Sequence, residues 1–300
     1  MLAYKILEEQ GIDVTAVFFK TYFFSQERAR EVAKANNVKL RVEDISDEHL
    51  EIVKKPRFGF GKRRNPCIDC HMLMIKKAKE VMEAEGFDFI ATGEVLGQRP
   101  MSQNITALRN IEKELGLEKK IVRPLSAKLL PITEAEEKGL IDREKLYGIR
   151  GRGRETQLDL VWKMGIKKYE SPAGGCLLTD PAFSERLKDL AEHWPSYTSD
   201  DVVLVRNGRV FWQDDDLIIV GRDQDECERL RNIKKTNDIV IDLVDVPGPT
   251  TIIRGKDITK QSIDKAIELT IRYARKADDL KKVGVKTAQN GKEEIRQIVK

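Results

Sequence analysis

Strand-like and helix-like stretches alternate up to residue 164, and that alternation limits the fold more than any other feature of the chain. Val14-Thr15-Ala16-Val17-Phe18-Phe19 is β-branched and aromatic, which reads as a buried strand. Residues 2–10 before it carry a helical pattern that stops at Gly11, and Ser25 can cap a helix running through about Asn36. Leu40 to Ile45 alternates like a strand, residues 71–85 are helical, and Phe87 to Gly93 is a strand ending in a glycine turn. Further helices are expected over 102–115, 133–139, 142–147 and 154–164. Strands separated by helices pair in parallel, and such sheets bind ligands beyond the carboxyl ends of their strands. Thr92 and Gly93 fall at such an end, with Gly97 and Gln98 just after.

The pattern changes near His193-Trp194-Pro195. Val202 to Val205, the Asn207-Gly208 pair and Val210-Phe211-Trp212 read as a β-hairpin, Asn-Gly being the strong short-range signal. Leu217 to Val220, Ile239 to Val244 and Thr250 to Ile253 follow as strands, and Ser262 to Arg275 as an amphipathic helix. A chain of 300 residues has room for two domains. The expected division is an α/β parallel-sheet domain over 1–192 and a small α+β domain over 193–300.

Cys67 and Cys70 form a C-x-x-C inside Asn65-Pro66-Cys67-Ile68-Asp69-Cys70-His71, and Cys176 follows Ser171-Pro172-Ala173-Gly174-Gly175. C-x-x-C serves soft metals, iron–sulfur clusters and redox disulfides, and Pro and Gly shape loops that present a side chain closely. Buried apolar cysteines are the bland alternative. Just before the pair, Lys54, Lys55, Arg57, Lys62, Arg63 and Arg64 carry positive charge with no acid among them, interleaved with Phe58 and Phe60. Cations neutralise phosphates and exposed aromatics stack on unpaired bases, so a polyanion delivered to the sulfurs is one reading and a solvated loop the other. Arg150-Gly151-Arg152-Gly153-Arg154 is a second basic turn, opening a helix. His71 reads as a helix-start residue, His49 and His193 as surface, and Cys227 as a plain helix residue. The net charge of +4 is too small to argue for nucleic acid by itself. Four cysteines do not make a secreted disulfide framework, no apolar run reaches membrane-spanning length, and no signal peptide opens the chain. The expected location is cytoplasmic, with no membrane partner.

Taken together, NPCIDCHMLM, ATGEVLGQRPMSQN, RPLSAKLLP, IRGRGR and SPAGGCLLTD resemble the tRNA thiouridylases, PP-loop ATP pyrophosphatases that exchange oxygen for sulfur in tRNA uridine. The resemblance runs to about residue 190. Residues 202 to 287 resemble an RNA-binding domain of the NFACT-R type, through VGRDQDE at 220–226, DIVIDLVDVPGPTTIIRG at 238–255 and ARKA at 274–277. That family usually has aromatic and histidine residues where this chain has Val240, Asp242 and Thr250. The first resemblance implies a PP-loop fold of the adenine-nucleotide α-hydrolase type, ATP with Mg2+, tRNA, and a sulfur donor that is either sulfide or a sulfur carrier. It places nucleotide contacts at Thr92, Gly93, Gly97 and Gln98, and RNA contacts at Lys62, Arg63, Arg64, Arg150, Arg152 and Arg154. It also implies a Ser-Gly-Gly-x-Asp-Ser phosphate loop ahead of the first helix, which this sequence lacks. The expectation is a longer natural protein whose start lies upstream; a variant that has lost ATP use is the rival.

Two sulfur chemistries are implied. Cys67, Cys70 and Cys176 can hold a 4Fe–4S cluster whose fourth iron carries sulfide, or Cys70 and Cys176 can act as a nucleophile and persulfide pair activated by positive charge. The cluster is preferred, because the pair leaves Cys67 without a role. The competing classes are an RNA-binding protein with a structural metal site and no enzymatic activity, and a thiol redox protein. The latter would need no Cys176.

Overall fold

The structure is a computed structural model and describes residues 1–170 and 176–299. Ser171 to Gly175, the Pro-Gly-Gly approach to Cys176, lie outside the described residues. The chain divides into two units, Met1–Thr179 and Asp180–Lys300.

The first unit opens with α1 (Leu2–Glu8), β1 (Ala16–Lys20), α2 (Glu27–Ala35), β2 (Leu40–Asp44), α3 (Ser46–Lys54) and α4 (Cys67–Glu85). It continues with β3 (Ile90–Ala91), α5 (Ile105–Leu115), β4 (Ile121–Val122), α6 (Glu134–Glu137) and α7 (Glu155–Lys163). Helix ends follow local chemistry. The Asn104 side chain accepts from the Ala107 amide at 2.9 Å to start α5. Gly86 (φ 72°) and Gly116 (φ 61°) end α4 and α5 in the left-handed conformation that Gly adopts without strain.

The strands do pair in parallel, but not in one sheet. β1 pairs with β2 (Ala16 opposite Leu40) and β3 with β4 (Ile90 opposite Ile121), as two separate two-stranded sheets. The strand expected over 87–93 is confined to Ile90 and Ala91. Phe87, Asp88 and Phe89 instead line a cavity of about 470 Å³. β1 supplies Ala16, Val17 and Phe19 to the same cavity, α1 supplies Tyr4 and Leu7, and α4 supplies Met74, Ile75 and Ala78. The cavity therefore lies against two strands, each paired along one edge only, with helices also in its walls.

The second unit contains α8 (Pro181–His193), α9 (Ser199–Val205), β5 (Arg209–Gln213), β6 (Asp216–Val220), α10 (Gln224–Ile233), β7 (Ile239–Leu243), β8 (Thr251–Arg254), α11 (Lys260–Arg272), β9 (Lys282–Gln289) and β10 (Lys292–Val299). Its sheet runs β10-β9-β7-β8-β6-β5, antiparallel throughout. Ala266, Ile267 and Ile271 of α11 pack with Ile218, Ile241, Ile253 and Val283 to form its core.

One expectation is corrected here. Residues 202–205 are not a hairpin strand but the end of α9. A capping box decides this: Thr198 Oγ1 donates to Asp201 Oδ2 at 2.7 Å, and the Thr198 amide donates to the same oxygen at 2.8 Å. Val202, Leu204 and Val205 are fully buried from that helix. The first hairpin turns at Asp214-Asp215 instead, with Gln213 opposite Asp216. An Asn-Gly hairpin does exist, at Asn290 (φ 52°) and Gly291 (φ 76°) between β9 and β10.

Candidate sulfur and RNA site

Cys67 and Cys70 occupy the first turn of α4, three residues apart and thus on one face. The Cys70 amide donates to Pro66 O at 2.9 Å. Asp69, between the two, is buried and accepts from the amides of Arg57 (2.9 Å) and Phe58 (3.1 Å). The basic loop is thereby tied to the residue between the cysteines. Asn65 ties it a second time: its Oδ1 accepts from the Arg63 amide at 2.9 Å, and its Nδ2 donates to Cys67 Sγ at 3.1 Å. A Cβ at Gly61 would stand 2.5 Å from Asn65 Nδ2, so a larger residue there would displace the Asn65 side chain. These contacts hold the basic loop against the turn that carries Cys67 and Cys70. They qualify its aromatics. Arg57 lies 5.0 Å from the Phe58 ring and Arg64 4.6 Å from that of Phe60, and Arg57 forks onto Glu114 at 2.9 and 3.0 Å. Lys62 and Arg63 remain exposed, with no side-chain ion pair among the described residues.

Cys176 reaches the same neighbourhood from the far end of the unit. The Leu177 amide donates to Phe23 O at 3.4 Å, and the Phe23 ring packs on His49 with centroids 5.5 Å apart. His49 Nε2 in turn lies 3.0 Å from Cys70 Sγ. Burial pushes the Cys70 thiol well up, and the nearby Cys176 and Cys67 thiols push it further. Burial also raises Cys176, against a partial pull from the Leu178 and Thr179 amides. The lowered thiol pKa expected for a persulfide pair is therefore not what this environment gives. All four cysteines are free, and among the described residues no three His, Cys, Asp or Glu side chains converge closely enough for a single metal ion.

His49 was expected at the surface and is fully buried, between Phe23 and Phe24. Desolvation lowers it to about 4, so it is neutral near pH 7. No sequence motif marks it, because its partner lies in another helix. His193 is half-buried, stacked on Trp212 at 4.0 Å. Cys227 is buried in α10, as expected of a helix residue, and its sulfur accepts from the Thr250 amide at 3.2 Å.

Beyond β3, Glu94 organises a second cluster. It pairs with His71 Nδ1 at 2.8 Å, accepts from Thr92 Oγ1 at 3.0 Å and from Arg123 Nε at 2.9 Å, while Arg123 Nη1 also bonds Glu112. Burial by itself would raise Glu94, but the His71 hydrogen bond and the Arg123 charge outweigh it and hold the carboxyl at about 2. Of the four expected nucleotide residues, Thr92 is thus committed to Glu94, and the buried Gln98 amide donates to Gln157 at 3.1 Å. Gly93 is open, a Cβ there meeting nothing within 4 Å. Gly97 (φ 78°) approaches the basic turn: a Cβ on it would lie 3.5 Å from the Gly151 nitrogen, which itself donates to Leu96 O at 2.8 Å. Arg150, Arg152 and Arg154 are exposed and make no ion pair among the described residues. Trp162, on the helix these arginines open, is 85% exposed, a feature sequence reasoning passed over.

In the second unit the signature residues hold the fold. Glu226 accepts from Arg222 Nε (2.9 Å) and from the Gly208 amide (3.2 Å). Arg254 is buried on Asp238 (2.7 Å) and Asp201 (3.1 Å). Asp242 accepts from Thr250 Oγ1 (2.7 Å) and Arg231 (2.8 Å), and Val240 is buried. Of the departures from the RNA-binding family, Val240 is therefore packed, and Asp242 and Thr250 are bonded to each other.

Residues 2–128 match the family model described as thiamine biosynthesis protein (ThiI), and residues 208–300 match that described as NFACT protein RNA binding domain. The chain thus joins an α/β segment similar to ThiI to a segment similar to an RNA-binding domain. No curated protein matches the chain. Among solved structures, it is similar to the C-terminal part of the fibronectin/fibrinogen-binding protein from Streptococcus suis, at 14% identity over 84% of this chain and 94% of that one. The TM-score of 0.28 is too low for that likeness to carry an argument. Among the described residues, no helix is long and apolar enough to cross a membrane.

Proposed function

We propose that the protein is a cytoplasmic, ATP-dependent tRNA sulfurtransferase that replaces a uridine carbonyl oxygen with sulfur. The observation that carries this reading is a basic loop bound through Asp69 and Asn65 to the Cys67–Cys70 turn, in a segment matching ThiI. Lys62, Arg63, Arg150, Arg152 and Arg154 hold tRNA phosphates, Arg64 assists from its place over Phe60, and exposed Trp162 offers a face for an unpaired base. The domain over 208–300 supplies further RNA affinity.

The three cysteines fit an iron–sulfur cluster better than a thiol pair. Their mutual charge coupling puts the thiols in one neighbourhood, and a four-iron cube spreads its ligand sulfurs wider than a single ion does. Thiols raised by burial are poor free nucleophiles, whereas a coordinating metal deprotonates them outright. A 4Fe–4S cluster on Cys67, Cys70 and Cys176 would supply an open iron for sulfide from the donor. Asp69 and Asn65 keep the basic loop over that turn while RNA is held.

ATP with Mg2+ would supply the adenylyl group for the uridine oxygen, with pyrophosphate released, so that AMP can depart from the base carbon carrying that oxygen as sulfur takes its place. Thr92 and Gln98 are engaged elsewhere, so Gly93 and Gly97 by themselves do not make a triphosphate site. The cavity lined by β1 and β3 also has Thr92, Gly93 and Glu94 in its wall, beside the glycine turn assigned to the nucleotide.

Anaerobic reconstitution followed by iron and sulfide analysis tests the reading. About four irons per chain, lost in Cys176→Ala, is the expected result. Iron-free protein would replace the cluster with the Cys70–Cys176 persulfide pair, and tRNA that binds but takes up no sulfur would replace both with an RNA-binding protein.

A further inference from the structure

We propose that His49 is a positioning residue of the sulfur site, aiming its Nε2–H as a donor at Cys70 Sγ. The inference rests on the sulfur-transfer reading above. His49 stands in α3, 21 residues before its partner, fully buried, with the rings of Phe23 and Phe24 each 5.5 Å from its own. Its two nitrogens are unequal. Nε2 lies 3.0 Å from Cys70 Sγ, whereas Nδ1 is buried with no hydrogen-bond partner among the described residues. A buried N–H without an acceptor is rarer in folded proteins than an unused lone pair. The ring therefore keeps its proton on Nε2 and leaves Nδ1 bare, which aims a donor at the sulfur. The aromatic walls prevent the ring from turning away.

A neutral thiol accepts such a bond weakly. A thiolate, bound to metal or bearing a second sulfur, accepts it strongly. The other two sulfurs are served differently: Cys67 Sγ takes a side-chain amide from Asn65, and Cys176 takes the backbone amides that follow it. Only Cys70 has a rigid ring donor fixed by burial. Hydrogen bonds to ligand sulfurs set a cluster's potential, and a donor stabilises the more negative, reduced state.

The chain has three histidines, so selective 15N-histidine labelling resolves each ring. In metal-free protein, long-range proton–nitrogen spectra are expected to show His49 as the Nε2–H tautomer, and Cys70→Ala to shift its Nε2 resonance while His193 stays in place. An Nδ1–H tautomer would overturn the proposal. In reconstituted protein, His49→Ala is expected to lower the cluster midpoint potential at unchanged iron content, and His49→Gln, which restores an N–H donor, to recover part of the shift. Equal potentials in all three proteins would also overturn it. Wild-type protein that takes no iron would sink the cluster reading, and the tautomer measurement would still decide the role of His49.

Discussion

Asp69 does more for the site than its place between two cysteines suggests. Its carboxylate is the acceptor for two loop amides, and unpairing buried donors costs about 1–3 kcal/mol. Asp69→Ala is therefore expected to loosen the basic loop and weaken tRNA binding severalfold, with iron uptake by the cysteines retained; tRNA titration alongside iron analysis checks it. Arg123 is a sterner case. Buried between Glu94 and Glu112, it pairs with both, and removing one partner of a buried ion pair costs about 3–5 kcal/mol. Arg123→Ala should lower the urea midpoint accordingly. The same cluster sets a pH dependence. The folded carboxyl of Glu94 sits at about 2 against an ordinary 4.5, so its contribution is fully present above 4.5 and is lost as pH falls from 4.5 towards 2. Urea midpoints of Glu94→Gln should vary less with pH than wild type in that window.

At the scale of elements, the turn that opens α7 and the capping box of α9 show opposite uses of local chemistry. The arginines of the turn are exposed and make no ion pair among the described residues, so they contribute charge without holding structure. Arg152→Ala combined with Arg154→Ala is expected to reduce the slope of log affinity against log salt by about two and leave thermal stability within about 0.5 kcal/mol. A slope that does not change would remove this turn from the RNA surface. Thr198 does the reverse: it holds α9 and faces no ligand. Its loss in Thr198→Ala should cost about 1 kcal/mol in urea unfolding. That box is also why the Asn207-Gly208 signal misleads. Asn-Gly favours a hairpin only when strands flank it, and the preceding residues are already drawn into a helix.

For the molecule as a whole, the first unit keeps its parallel pairing in two separate two-stranded sheets. β1 and β3 each pair with one strand among the described residues, and both line the cavity of about 470 Å³. The sequence by itself determined most helices, the parallel pairing, the strands 217–220, 239–244 and 250–253, and the cysteine and arginine motifs, because periodicity, capping and turn chemistry act over a few residues. Only the tertiary structure decided which of those residues meet. It set Gly97 against Gly151, tied the basic loop to Asp69, bound Glu94 to His71 and Arg123, and buried His49 against Cys70. Those outcomes depend on burial and on partners distant along the chain, and a residue type and its near neighbours carry no record of either.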